Sequence, residues 1–232
     1  MSQRKNFLLI GNSRLHWANC VKNITQFTHS PTNESLPQDI SLEDTIWASV
    51  GHTQLTTLKK ENEIKLENIP LNKMPSYFGI DRALGCFAAL NIANNPLKKN
   101  LLIADLGTTL SISKIDSIGN IIGGQLVPGL LTQLKAMDKE TKNLQAPSQI
   151  AIPKQDFLLD TKQAMIKGVS NSLIGAINLS FNPKKDILIL CGGDSKLIGK
   201  KIMALNYGHT IIEPNLVMRG MIKLTQEKDL FN

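Results

Sequence analysis

Short apolar runs dominate the pattern, and most of them end on glycine or an acid. Residues 7–10 (FLLI) stop at Gly11-Asn12-Ser13-Arg14, and 15–20 (LHWANC) resume in apolar–polar alternation. This predicts a strand, a polar turn and a second strand. Residues 23–43 are polar and carry Pro31, Asn33 and Pro37, which predicts a loop. TIWASV, 45–50, predicts a short buried strand, and Gly51 to Asn62 a surface helix. The following IKLENIPLNKMPSYF holds two prolines and no clear period. From Ile80 the period turns helical: Ile80, Leu84, Phe87 and Ala88 share a face, and Asn94-Asn95-Pro96 supplies a stop.

The second half repeats the style. NLLIAD, 100–105, predicts a strand that ends on an acid, and TLSISKI, 109–115, alternates. A turn at 116–120 leads to IIGGQLVPG, 121–129, a predicted strand with glycines inside it. Leu130 to Met137 reads as helical, and 141–156 as polar and proline-bearing. Asp160 to Ser180 is a long amphipathic segment, with Asp160-Thr161 at its start as a cap. DILILC, 186–191, is a buried strand running into Gly192-Gly193-Asp194. A helix, a short strand at 209–213 and a helix from about 215 complete the pattern.

Hairpins among these strands mean that the sheets of this mixed α/β chain are not all parallel. The two halves echo each other. With Gly11 placed on Gly107, Asn12-Ser13 falls on Thr108-Thr109, and each copy reads strand, glycine turn, strand. Two related domains are expected, residues 1–98 and 99–232, with a cleft between them and one turn from each. In that superposition Asp105 falls on Leu9, so the second turn has an acid where the first has none.

Composition narrows the class. The chain has 232 residues, of which 42% are hydrophobic and 19% charged, enough for a substantial core and too apolar for disorder. The N-terminal apolar run is too short for a secretory signal and no run approaches a membrane span, so a cytoplasmic protein without membrane association is expected. Cys20, Cys86 and Cys191 are far apart and form no CxxC, which argues for buried thiols. The net charge of +7 comes from scattered lysine doublets without an arginine-rich arm or zinc-finger spacing, so nucleic acid is an unlikely partner and a basic surface that attracts anionic metabolites is favoured.

Candidate chemistry centres on the turns. Glycine with Asn, Ser or Thr presents N–H groups and hydroxyls to an anion, although a plain hairpin needs the same residues. Two copies at matching points favour phosphate over a plain turn. Neither is a GxGxxG or GxxxxGK[ST] site. Asp105, after an apolar strand, reads as a metal ligand slightly ahead of a turn acid. Asp81 opens the most amphipathic helix. The helix dipole accounts for an acid there, and the functional alternative makes Asp81 a general base with Arg82 as an anion clamp. Gly123-Gly124…Pro128-Gly129 marks a bulge or close backbone approach, and Gly192-Gly193 either approaches an adenine or ribose or makes a tight turn. His16, His29, His52 and His209 lack metal-ligand spacing, and Met165 and Met218 read as core.

Taken in order, these motifs resemble the type III pantothenate kinases, a family in the actin-like (ribonuclease H-like), sugar-kinase-like group of two-domain ATPases. The first turn, Leu9-Ile10-Gly11-Asn12-Ser13-Arg14, matches Asp-x-Gly-Asn-Thr-Arg. Gly79-Ile80-Asp81-Arg82 matches the substrate motif Gly-x-Asp-Arg, and Asp105-Leu106-Gly107-Thr108 matches Asp-x-Gly-Thr. Gly124 to Gly129, Thr161 and Gly192-Gly193 follow in the family's order.

The resemblance implies ATP-dependent phosphorylation of the primary hydroxyl of pantothenate, the first step toward coenzyme A. It makes Asp81 the general base. Gly79, Ile80, Asp81 and Arg82 would bind pantothenate, and Thr161 would reach it across a homodimer. Residues Leu9, Ile10, Gly11, Asn12, Ser13, Arg14, Leu15 and His16, with Thr108, would bind ATP carrying Mg2+. Asp105 would ligate a monovalent cation, K+ or NH4+. The chain departs from the pattern at Leu9, where the family has Asp, at Ser113, where it often has another acid, and at Thr109-Leu110, in place of Ala-Thr. The competing readings are a ligand-binding regulatory relative without catalysis and a kinase for another small hydroxylated acid.

Overall fold

A computed structural model describes residues 5–22, 24–32, 41–51, 55, 57–205 and 208–228. By contacts the chain separates into two units. One holds Met1–Ile92, Ile118–Ile121 and Asn215–Asn232; the other holds Ala93–Ser117 and Ile122–Pro214.

The first unit carries a four-stranded sheet made of β1 (Lys5–Ile10), β2 (Arg14–Val21), β3 (Ile24–Pro31) and β4 (Thr45–Ser49), in the order β3-β2-β1-β4. β1 to β3 form an antiparallel meander, and β4 lies parallel to β1. Phe7, Leu9 and Ala18 on one face pack with Ile46 and Ala48, and with helices α1 (Ile80–Ile92) and α5 (Leu216–Lys228). α1 buries every residue from Ala83 to Ala89, wider than the single face its sequence period marks. The crossing with α5 is close: a Cβ on Gly220 would strike the carbonyl oxygen of Leu84.

Two expectations fail in this unit. Residues 24–31, expected as loop, form β3. Its side chains alternate between exposed and half-buried up to Phe27, and among the described residues it is an edge strand paired with β2 alone, so polar residues are tolerated. The expected helix at 51–62 is absent from the described part, which has only a 3-10 turn at Lys60–Asn62. There the backbone is held against β4 instead: Trp47 Nε1 donates to Lys59 O at 2.8 Å, and Ile64 N donates to Trp47 O at 2.7 Å. Residues 33–40, 52–54 and 56 lie outside the described residues.

The second unit repeats the plan with β5 (Asn100–Leu106), β6 (Thr109–Ile115), β7 (Ile121–Pro128), β8 (Asp186–Cys191) and β9 (Thr210–Ile212), in the order β7-β6-β5-β8-β9. β5 and β6 pair antiparallel, and β8 lies parallel to β5 as β4 does to β1. Helices α2 (Leu130–Glu140), α3 (Thr161–Ser180) and α4 (Ser195–Ala204) complete it. Its core joins Leu102, Ala104, Ile112, Leu134, Met165, Leu173, Leu188 and Ile198. Met165 and Met218 are core residues, and Cys86 and Cys191 are buried cysteines outside any disulfide. At the base of the sheet the wholly buried Asp186 accepts from Lys114 Nζ and from Asn182 N, each at 2.8 Å. The fold is mixed α/β, with two related mixed sheets flanked by helices.

Candidate active site

The first turn follows the last rung of the β1–β2 ladder, Ile10↔Leu15. Gly11 N donates to Arg14 O at 2.9 Å and closes it, leaving Asn12, Ser13 and Arg14 exposed. The flanking side chains point into cores. Leu9 is 5% exposed, among Phe7, Ala18, Ile46 and Ala48. Ile10 and Leu15 bury with Leu8, Trp17 and Trp47. Of the stretch matched to ATP binding, Leu9, Ile10 and Leu15 therefore offer backbone only, whereas Asn12, Ser13 and Arg14 offer polar side chains.

His16 stands directly across the ladder from Leu9, and cross-strand partners share a face. Its Nδ1 lies 2.9 Å from Nδ1 of His29, and His29 Nε2 lies 3.1 Å from Asn215 Oδ1. Burial, then the neighbouring His29 and then Arg14 push His16 down from the usual 6.5 to about 4. His29 is also lowered, chiefly by burial, with the Asn215 hydrogen bond opposing and Arg14 adding to the shift. Both imidazoles are neutral at pH 7. His29 and Asn215 were not legible from sequence, since 186 positions separate them.

The second turn follows Leu106↔Leu110, with Gly107 N donating to Thr109 O at 3.3 Å and Thr108 and Thr109 exposed. Asp105 occupies the position that Leu9 holds in the first sheet, with Ser111 across from it and Cys191 on the parallel strand. Two glycine segments back this turn. Gly129 N and Thr132 Oγ1 both donate to Thr108 O, at 2.9 and 2.7 Å. A Cβ on Gly129 would strike Gly107 O and lie 2.8 Å from Thr108 O, so only glycine permits the approach. Gly192 has φ +84°, and a Cβ there would strike the Asp105 carboxylate and lie 2.6 Å from Leu106 O. Gly192 makes a tight turn after β8, and a Cβ on Gly193 would meet nothing within 4 Å.

The Gly79-Ile80-Asp81-Arg82 motif forms the entry to α1. Gly79 O accepts from Ala83 N at 2.9 Å, which places Gly79 at the cap. The four residues are half-buried while the helix behind them is buried, so a fixed rod presents them. Asp81 Oδ1 accepts from Arg82 N at 2.8 Å and lies 2.7 Å from where a Cβ on Gly79 would stand. The Arg82 guanidinium stacks 4.2 Å over the Phe78 ring.

Thr161 is the exposed first residue of α3, capped by Asp160, whose Oδ1 accepts from Gln163 N at 2.8 Å. It borders a groove of about 390 Å3 between α2 and α3, lined by Met137, Leu144 and Met165 among others. Phe157 and Leu159, just before it, are almost wholly exposed (96% and 106%). Among the described residues no three His, Cys, Asp or Glu side chains cluster around a metal position, and no helix is long and apolar enough to cross a membrane.

Comparison with known proteins bears on the fold and the family. A solved structure of a protein from Campylobacter jejuni described as a Baf family transcriptional activator superposes with a TM-score of 0.67 at 21% identity, covering 97% of this chain and 98% of that one. An archaeal actin homologue in complex with ADP superposes with a TM-score of 0.51 at 15% identity, covering 98% and 99%. Both are likenesses of fold, and the second makes that fold actin-like. The type III pantothenate kinase from Gloeobacter violaceus is 32% identical over 200 residues, 82% of this chain and 85% of that protein. The sequence profile of the type III pantothenate kinases matches residues 38–182. The chain belongs to the type III pantothenate kinase family.

Proposed function

We propose that this chain transfers the γ-phosphoryl group of ATP to the primary hydroxyl of pantothenate, the first step toward coenzyme A, in the cytoplasm. The observation that carries the reading is the entry of α1. A carboxylate and a guanidinium stand side by side at the entry of a helix whose body is buried, with Arg82 stacked on Phe78. Phosphoryl transfer depends on such positioning and on charge neutralisation more than on covalent work by the protein.

In this reading Asp81 takes the proton as the pantothenate oxygen bonds to the γ-phosphorus and the bond to the β-phosphate oxygen breaks. Gly79 and Ile80 present backbone to the substrate, and Arg82 pairs its carboxylate. Gly11, Asn12, Ser13, Arg14 and Thr108 hold ATP phosphates through N–H groups, hydroxyls and one guanidinium. Magnesium in this reading is carried on the nucleotide, with little direct protein ligation. Bound there, it neutralises phosphate charge. Asp105, at the strand end beside Gly192, is the residue to hold a monovalent cation, K+ or NH4+. Exposed Phe157 and Leu159 beside Thr161 support a homodimer in which Thr161 meets the partner's substrate.

The test is formation of phosphopantothenate by the purified protein with ATP and magnesium, with and without potassium, beside Asp81→Asn. Potassium-dependent product that falls at least about a hundredfold in the variant supports the reading. The burial of Leu9 motivates one rival, a relative that binds ligand without catalysis. Folded, dimeric protein that binds ADP and yields no product would favour that rival.

A further inference from the structure

His16, His29 and Asn215 form a polar chain that ends against the first turn, within the first unit. With the Asn215 amide oxygen toward His29, that oxygen only accepts, so His29 Nε2 carries the proton in their 3.1 Å contact. Neutral His29 then has a bare Nδ1, and the 2.9 Å contact between the two Nδ1 atoms requires His16 to donate. His16 Nε2 is left with its lone pair. That nitrogen lies 3.4 Å from where a Cβ on Gly11 would stand, directly behind the turn.

An acceptor at a phosphate turn is chemically pointed. Phosphate oxygens are acceptors too, so the two repel unless a donor lies between them. Water polarised by a divalent cation is such a donor. Magnesium keeps several waters and prefers oxygen to nitrogen in its own shell, so an imidazole serves it through water. The cross-strand position facing His16 is the apolar Leu9, which supplies no competing polar atom. The matching position in the second sheet carries Asp105.

We propose that His16 Nε2 is the acceptor of the first turn, holding a water of the nucleotide-bound magnesium, with His29 and Asn215 as positioning residues that fix its tautomer. The inference rests on the proposed use of ATP. It assigns the work of the absent first-turn carboxylate to a side chain seven positions along, on the opposite strand.

Two measurements test it on the full chain. Long-range 15N–1H spectra of histidine-labelled protein, assigned with His16→Leu, should show His16 at pH 7 protonated on Nδ1 and bare on Nε2. A proton on Nε2 would overturn the proposal. Calorimetry of ADP binding, with magnesium and with a chelator, should then show magnesium tightening ADP in the wild type. In His16→Leu that gain should shrink about tenfold, the size of a hydrogen bond to a charged group, while metal-free affinity stays within about twofold. His29→Leu leaves His16 in place but frees its tautomer, and should lose roughly threefold of the gain, a fraction of the same interaction. An equal fall with and without magnesium, or no change in either variant, means a structural role and overturns the proposal. Folded wild-type protein that binds no ADP under either condition overturns the kinase reading, and this one with it.

Discussion

Leu9 shows why the first turn did not simply lose an acid. It packs among Phe7, Ala18, Ile46 and Ala48, so a carboxylate restored there would give up its water, with only the lone pair of His16 across the strand. Leu9→Asp should therefore cost about 2–3 kcal/mol at pH 7.5. The deficit should shrink as pH falls, because the buried pair binds one proton more readily than separate groups do. Urea denaturation at pH 7.5 and 5.5 checks this, and wild-type stability at pH 7.5 would contradict it. His16 has a pH signature of its own. Its folded value is about 4 and its unfolded value about 6.5, so the unfolded chain binds more protons between them. Its contribution is complete above pH 6.5 and is lost as pH falls toward 4, on the order of 3 kcal/mol for a shift of this size. The stability of His16→Leu should fall less steeply across that window than the wild type's. Single residues were legible where the chemistry was local: the cap at Asp160, the acid next to the end of β5, the acid in the first turn of α1. The environment of His16 was not, because its partners come from β3 and from the residue before α5.

Elements were read well where period and burial coincide, and poorly where one neighbour replaces a core. β8 is buried throughout, β5 buries Leu101 to Ala104, and β6 buries Leu110, Ile112, Ser113 and Ile115, so their apolar runs announce them. β3 is an edge strand whose Gln26 and Thr28 positions face water, so its composition looks like a loop. The stretch after β4 has the charge of a surface helix, but its anchors, Leu58, Ile64 and Ile69, fall at spacings of six and five, which no helical face matches. Glycines inside IIGGQLVPG pointed to close approach, and the approach is made by Gly129 onto the second turn. Gly129→Ala should push that turn off its backing, lowering stability by about 2 kcal/mol as an overpacked site does and weakening ADP binding. A Cβ on Gly193 would meet nothing within 4 Å, so Gly193→Ala should leave stability unchanged. Thermal melts and ADP titration of the pair separate steric backing from mere glycine content, and equal behaviour of the two variants would refute the assignment.

At the scale of the whole molecule the sequence echo between Gly11 and Gly107 has a structural counterpart: in both sheets an antiparallel hairpin, β1–β2 or β5–β6, is flanked by a parallel strand, β4 or β8. Each hairpin is local, so its turn and alternation sit together in the chain, where a reader can see them. Membership of the last helix is not local. Nothing along residues 215–228 says which unit they complete, since an amphipathic face specifies burial but not the partner. In the structure α5 packs on α1 and belongs to the first unit, although the whole second unit lies between them in sequence. Leu216, Met218, Met221 and Leu224 are each at most 2% exposed. Burial of four such side chains stabilises by roughly 6–12 kcal/mol, comparable with the entire stability of a domain, about 5–15 kcal/mol. Truncation after Pro214 should thus unfold the first unit and leave the second intact, because the second keeps its sheet, α2 to α4 and the Lys114–Asp186 pair. Hydrogen exchange by segment should then show β1 to β4 and α1 exchanging freely while β5, β6 and β8 stay protected. Protection persisting in β1 and α1 would mean that the first unit holds together without its final helix. Loss of protection throughout would mean that the second unit depends on the first to fold, against the separate core it displays.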